Sequence, residues 1–341
     1  MLRLPLISTL LLLFCSAAIA QDKYKISKDL PSAIFSISEN YMVMASANGK
    51  NIHLHSKMAS PVEFTEEPER TLEYPHADVF DLRVTSDYKE DRPAVVAAYK
   101  DGTLIHWDIV SRTALKIVKT EFTPTDNKYI YGRGKENFFL TSDGKLAALW
   151  SYDKIIIADI ENESIVTTLE KSEVQSVAIS PDKKFLYVAR TFKPIEKLDL
   201  KTGNLISTFK QKGPETGEEQ WYSAGTALSP NGEYLATLGW YRGKDKKQID
   251  YIEILDTKSG KSVNLISEKV GGKTLPVFSP DGKKFAVNYA LLTSIISTTS
   301  GKQLYQLENA YYPLQFVEEG KGLITNLRGS NIHLWVNTKG F

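Results

Sequence analysis

Cysteine is nearly missing: the 341 residues hold one, Cys15. A single thiol excludes any intramolecular disulfide, so burial of apolar surface must hold the fold, and a chain of this length has core enough for that. An excess of one charge is missing as well. Lysine and arginine total 42 against 41 acidic residues. So even a balance argues against nucleic acid or an anionic membrane surface as the main partner. Beyond the N-terminus, no apolar run reaches the roughly 20 residues that span a bilayer. The usual catalytic signatures are absent too. There is no G-x-S-x-G or H-E-x-x-H, and no D-x-D-x-D calcium loop. Gly132-Arg133-Gly134 is followed by KENFF, where a dinucleotide loop needs a third glycine and a helix.

What is present begins with an export signal, MLRLPLISTLLLLFCSAAIA. Arg3 supplies the positive start, and the apolar run from Leu4 to Phe14 is too short to cross a bilayer. Ala18-Ile19-Ala20 is a small-x-small cleavage site. The expectation is cleavage after Ala20, a mature chain of residues 21–341, and a periplasmic or secreted destination. Phe14 before Cys15 argues against lipidation, which favours a small residue there. Cleavage removes Arg3 and Cys15, taking the 42 basic residues to 41 against 41 acidic ones and leaving no cysteine.

The rest of the chain repeats itself. A strand–turn–strand grammar recurs in LTSDGKLAALWS (140–151), AISPDKKFLYVAR (178–190), ALSPNGEYLATLG (227–239) and FSPDGKKFAVNY (278–289). Taking its serine slot as the anchor gives Ser38, Thr85, Thr141, Ser180, Ser229, Ser279 and Val317, with spacings of 47, 56, 39, 49, 50 and 38. A period near 40–50 residues is the mark of repeat architecture. In each unit proline presets the turn and glycine accepts the positive φ that follows. A second strand rich in β-formers comes next, then a third ending in Asp or a polar substitute (TLIHWD, KIIIAD, YIEILD), then a turn such as DLKTG, then a fourth strand. Four strands per unit and seven units predict an all-β fold: a seven-bladed β-propeller of four-stranded antiparallel blades. The last unit lacks a fourth strand at the C-terminus. DKYKIS (22–27) has strand-like alternation and is expected to supply it, closing the circle.

Blade two resembles the WD-repeat family, with His76, Asp101 and the Trp107-Asp108 dipeptide in the family's order. SPDKKFLYVAR…KLDLKTGNLISTF is similar to YVTN-type repeats of secreted bacterial propellers, and FSPDGKKFAV to repeats of TolB-type periplasmic propellers. These resemblances imply a propeller and an exported bacterial protein, and for His76, Asp101 and Trp107 a structural hydrogen-bond network. Fold does not settle activity.

Two histidines, His53 and His55, lie two apart on one strand and face the same way, which is half a metal site without a third ligand. Alignment of NIHLH with NIHLW puts His55 in the tryptophan slot instead. No metal, cofactor or catalytic residue is assigned.

Additions to the repeat carry more information, because loops on a rigid scaffold carry function. They are 121–137, 211–225 and the link 239–250 between the second and third strands of blade five. Blade-to-blade connections and second-to-third links emerge on one face. That face is expected to gather Tyr129, Tyr131, Arg133, Trp221, Tyr222, Trp240, Tyr241 and Arg242, with Tyr311 and Tyr312 from the connection into blade seven. These residue types dominate binding hot spots. The reading is a non-enzymatic platform for a protein or peptide. The alternatives are a carbohydrate-binding propeller, or a propeller enzyme of lactonase-like or glycan-processing type with an axial site.

Overall fold

The computed structural model describes residues 22–25, 34–38, 43–56, 68–86, 93–124, 137–212, 222–242, 248–267, 275–289, 292–308, 310–326 and 332–336. The expected export signal and cleavage site lie outside them. The described residues form seven four-stranded antiparallel sheets, numbered I to VII here in chain order. Sheet I is Phe35–Ile37, Val43–Asn48, Asn51–Ser56 and Arg70–Glu73. Sheet II is Val79–Ser86, Pro93–Tyr99, Thr103–Asp108 and Thr113–Lys119. Sheet III is Phe138–Leu140, Leu146–Trp150, Lys154–Asp159 and Ser164–Glu170, and sheet IV is Val174–Ile179, Phe185–Arg190, Ile195–Asp199 and Leu205–Phe209. Sheet V is Tyr222–Leu228, Tyr234–Arg242, Gln248–Asp256 and Ser262–Ser267. Sheet VI is Val277–Phe278, Lys284–Tyr289, Leu292–Ser297 and Gln303–Leu307. Sheet VII is Tyr311–Val317, Gly322–Asn326 and Ile332–Val336, with Asp22–Lys25 paired onto the last strand in the register Asp22↔Val336 to Lys25↔His333. The all-β expectation therefore holds, as four-stranded sheets of the kind a propeller is made from.

Burial explains the strand sequences. Leu146–Trp150 is buried throughout, while Ser164–Glu170 at the sheet edge is mostly exposed. A middle strand is covered on both faces by neighbouring sheets, so it reads as a continuous apolar run with no alternation. Six apolar clusters each join two consecutive sheets. Sheets I and II share Ile52, Leu54, Leu82 and Val95; sheets II and III share Val96, Leu104, Phe138 and Leu149. The series continues through sheets III and IV, IV and V, V and VI, and VI and VII. No sheet could cover itself: each apolar side chain contributes about 1.5–3 kcal/mol once buried, and each cluster takes its residues from two consecutive repeats.

The repeated turn is a hydrogen-bonded device. The anchor hydroxyl donates to the side-chain oxygen two residues on, from Thr141 to Asp143 (2.7 Å), Ser180 to Asp182 (2.6 Å), Ser229 to Asn231 (2.7 Å) and Ser279 to Asp281 (2.7 Å). Each turn closes through the amide of the fourth residue, which takes φ of +67° at Gly144, +58° at Lys183, +73° at Gly232 and +71° at Gly282. Glycine is also needed for approach: a Cβ at Gly282 would lie 2.8 Å from Asn231 of the preceding turn. Sheet IV departs from the glycine rule. Lys183 accepts the left-handed conformation and its ammonium bonds Asp143 of the turn before.

Candidate partner-binding face

Backbone hydrogen bonds tie the connections between sheets to the turns between second and third strands. From the connection between sheets III and IV, Lys171 N donates to Asp153 O (2.8 Å) and Val174 N to Tyr152 O (3.0 Å). Thr191 N, in the second-to-third turn of sheet IV, donates to Glu173 O (3.0 Å). Between sheets I and II, Val79 N reaches Gly49 O (2.8 Å) and Lys100 N reaches Asp78 O (2.9 Å). These segments therefore form one surface, as the repeat grammar implies.

On that surface, blade two's motif residues are wired through two tyrosines the motif does not include. Tyr74 Oη donates to Asp101 Oδ2 (3.0 Å), and its ring packs on His76 (5.0 Å between centroids) and Tyr99 (4.6 Å). Trp107 Nε1 donates to Tyr99 Oη (3.1 Å). Burial pushes the Tyr99 phenol well above its usual range. Burial acts to raise the Asp101 carboxyl, but hydrogen bonds from Thr103 and Tyr74 outweigh it and hold the group low. Asp101, Tyr74, Tyr99 and Trp107 are thus held by one another, which makes the arrangement a structural brace.

Sheet V corrects the expected placement of the aromatics. Trp240, Tyr241 and Arg242 are not in a loop. They end the strand Tyr234–Arg242, which pairs with the equally long Gln248–Asp256 as Trp240↔Asp250, Tyr241↔Ile249 and Arg242↔Gln248. Tyr222 begins a strand and stands directly across from Trp240. Tyr311 and Tyr312 likewise open the first strand of sheet VII, where a connection was expected. The physical reason for the first correction is Gly239. It reads as a strand breaker, yet here it admits Tyr251, whose Cζ and Oη would each lie 2.5 Å from a Cβ at that position. The insertion 211–225 is pinned at its start: Glu253, fully buried, accepts the Lys212 amide (3.0 and 3.3 Å), and Tyr251 Oη donates to Gln211 Oε1 (3.4 Å). Burial raises the Tyr251 phenol, and the Glu253 charge adds to the rise. Two additions that are separate in sequence thus meet on one long hairpin. Trp240 is half-buried there. Tyr129, Tyr131, Arg133 and Trp221 lie outside the described residues.

Two features of this surface and its neighbourhood escaped sequence reasoning: the exposed pair Tyr152 and Phe192, and Asp81. Tyr152 (37% exposed) and Phe192 (54% exposed) sit in the tied turns of sheets III and IV. No aromatic-rich insertion announces them. Asp81, buried on the first strand of sheet II, accepts the Leu82 amide (2.7 Å) and the Arg83 guanidinium (2.5 Å). Desolvation nevertheless raises its carboxyl above the ordinary range, against the pull of Arg83. His53 Nδ1 is 3.3 Å from Thr71 Oγ1, and burial followed by the nearby His55 lowers its pKa. Among the described residues no group of three His, Cys, Asp or Glu side chains is placed to hold a metal ion. Nor is any helix among them long and apolar enough to cross a membrane.

No family model matches the chain. It is similar to a WD-repeat protein. An uncharacterized WD repeat-containing protein of Synechocystis sp. is 28% identical to it over 150 residues, which is 43% of this chain. The match spans 38% of that relative's length.

Proposed function

We propose that the chain is an exported seven-bladed β-propeller, closed by its N-terminal strand, that holds a protein or peptide partner on the face where connections and second-to-third turns meet. Tyr129, Tyr131, Arg133, Trp221, Tyr222, Trp240, Tyr241, Arg242, Tyr311 and Tyr312 are the assigned contact residues. The likeness to a WD-repeat protein supports a binding scaffold, and the pairing of Asp22–Lys25 with Ile332–Val336 supports closure. The carrying observation is the convergence on sheet V. Two of the three additions to the repeat, 211–225 and 239–250, are tied to one hairpin, with Tyr222 and Trp240 in register, although four strands need neither addition.

The test is affinity capture with the full chain as bait, using protein recovered after export, whose intact mass should begin at Gln21 without lipid. Trp240→Ala should weaken the captured partner by about 2 kcal/mol or more, the hot-spot scale. A captured partner indifferent to Trp240, or no partner at all, contradicts the reading.

A further inference from the structure

The outer strands of sheets II to VI share an irregularity that the repeat grammar does not show. Near the start of each, the register with the third strand skips one residue. The skipped residues are Leu115, Val166, Ile206, Val263 and Leu304, all aliphatic. A bulge blunts a sheet edge against stray pairing, and a polar side chain would serve that end better than an apolar one. Yet Ile206 is 50% exposed, Val263 37% and Leu304 39%, and Leu205 beside the first is 58% exposed. Single exposed aliphatics are ordinary, but one at the same position of consecutive sheets makes a series.

Charge separates sheets IV to VI from the two before them. Their turns between third and fourth strands carry Lys201, Lys258, Lys261 and Lys302, all exposed, against Asp199 and Asp256. Both carboxylates are bonded within the turn: Asp199 accepts the Thr202 amide (2.8 Å) and hydroxyl (2.9 Å), and Asp256 the Ser259 amide (2.7 Å) and hydroxyl (2.6 Å). The outer strands that follow hold no charged residue. In sheet III the same turn is acidic, with Asp159, Glu161 and Glu163, and Glu163 accepts from Lys116 Nζ (3.0 Å) and the Ile117 amide (3.3 Å). The three basic turns are linked along the rim. A Cβ at Gly260 would lie 2.8 Å from Phe209 in the outer strand of sheet IV, and one at Gly301 2.7 Å from Asn264 in that of sheet V. Each of these outer strands thus runs from its own turn to the turn of the next sheet. In the antiparallel order the basic turns lie at the strand ends opposite the second-to-third turns. The even charge of the whole chain hides this local excess of lysine.

We propose that the rim of sheets IV to VI docks on an anionic lipid surface, with the four lysines on headgroup phosphates and Leu205, Ile206, Val263 and Leu304 entering the interface. Lysines suit any polyanion, but a soluble one gains nothing from the aliphatics set among them, whereas a lipid surface does. The contact is independent of the partner-binding face and leaves that face turned away from the lipid. Protein recovered after export, without a partner, is sedimented with vesicles of phosphatidylcholine alone or of an even mixture with phosphatidylglycerol. The mixed vesicles should bind at least tenfold more tightly. Lys258→Glu with Lys302→Glu should reduce that binding at least tenfold. Ile206→Ser with Val263→Ser should reduce it at least fivefold at unchanged charge, while Leu115→Ser, at the matching bulge of sheet II, should not. If the serine pair melts below the parent, Leu304→Ser alone repeats the apolar arm. Equal or absent binding to the two vesicles overturns the proposal, as does binding that survives the lysine reversal. Binding that survives the serine substitutions marks a site for soluble polyanions and overturns the lipid reading. An equal loss from Leu115→Ser also overturns it, because the effect would then not belong to this rim.

Discussion

Trp335 and Trp240 are one residue type in two settings. Trp335 is 5% exposed, packs with Ile295, Phe316 and Leu323, and donates from Nε1 to Thr325 Oγ1 (2.9 Å). Truncating so buried an aromatic leaves a cavity between two sheets. Trp335→Ala should therefore cost about 3–5 kcal/mol of stability by chemical denaturation. A loss under about 1 kcal/mol would mean that sheets VI and VII do not depend on that cluster. The sequence slot of Trp335, at the end of a repeat strand, made its role legible. Phe192, at φ +57°, was not legible, because T-F-K-P looks like any short turn and a positive φ is a property of the backbone. The network around Trp107 was half legible: His76 and Asp101 were visible, but Tyr74 and Tyr99 had no motif to mark them.

At the scale of the element, the turns were readable because their signatures are local. Serine, aspartate and glycine at fixed offsets report hydrogen bonds that close within five residues. The sheet V hairpin was not readable, because its length depends on Tyr251 entering the space beside Gly239, which is a tertiary fact. The turn aspartates also predict how stability responds to acid. The Thr202 amide and then its hydroxyl lower the pKa of Asp199, and the Ser259 hydroxyl and then its amide lower that of Asp256. At Asp281 burial opposes the fall, but the Ser279 hydroxyl and the Lys283 amide prevail. A carboxyl with a depressed folded pKa contributes stability above its unfolded pKa, near 4, and loses it as pH falls through the folded value. The melting temperature should therefore drop as pH is lowered from about 5 to about 2.5. Replacing Asp199 and Asp256 with Asn should flatten that slope in calorimetry. An unchanged slope in the double variant would place the acid sensitivity elsewhere.

Across the whole molecule, repetition does two things. It gives consecutive sheets shared apolar clusters, and among the described residues it ties connections between sheets to the turns between second and third strands. Four of the turns between first and second strands share one hydrogen-bonded form, anchored on Thr141, Ser180, Ser229 and Ser279. The long sheet V hairpin belongs to the surface of connections and second-to-third turns, as do the exposed Tyr152 and Phe192 of the turns in sheets III and IV. The central claim is that this surface takes the partner and that the chain's two ends share a sheet. Hydrogen exchange measured by mass spectrometry, on the protein alone and with a partner captured as proposed above, tests it most directly. In the free protein the amides of Asp22–Lys25 should exchange as slowly as those of Ile332–Val336. On adding the partner, protection should rise in 151–153, 171–174, 190–193 and 239–250. Fast exchange at Asp22–Lys25, or new protection centred on the turns at 141–144, 180–183, 229–232 and 279–282, would contradict the account.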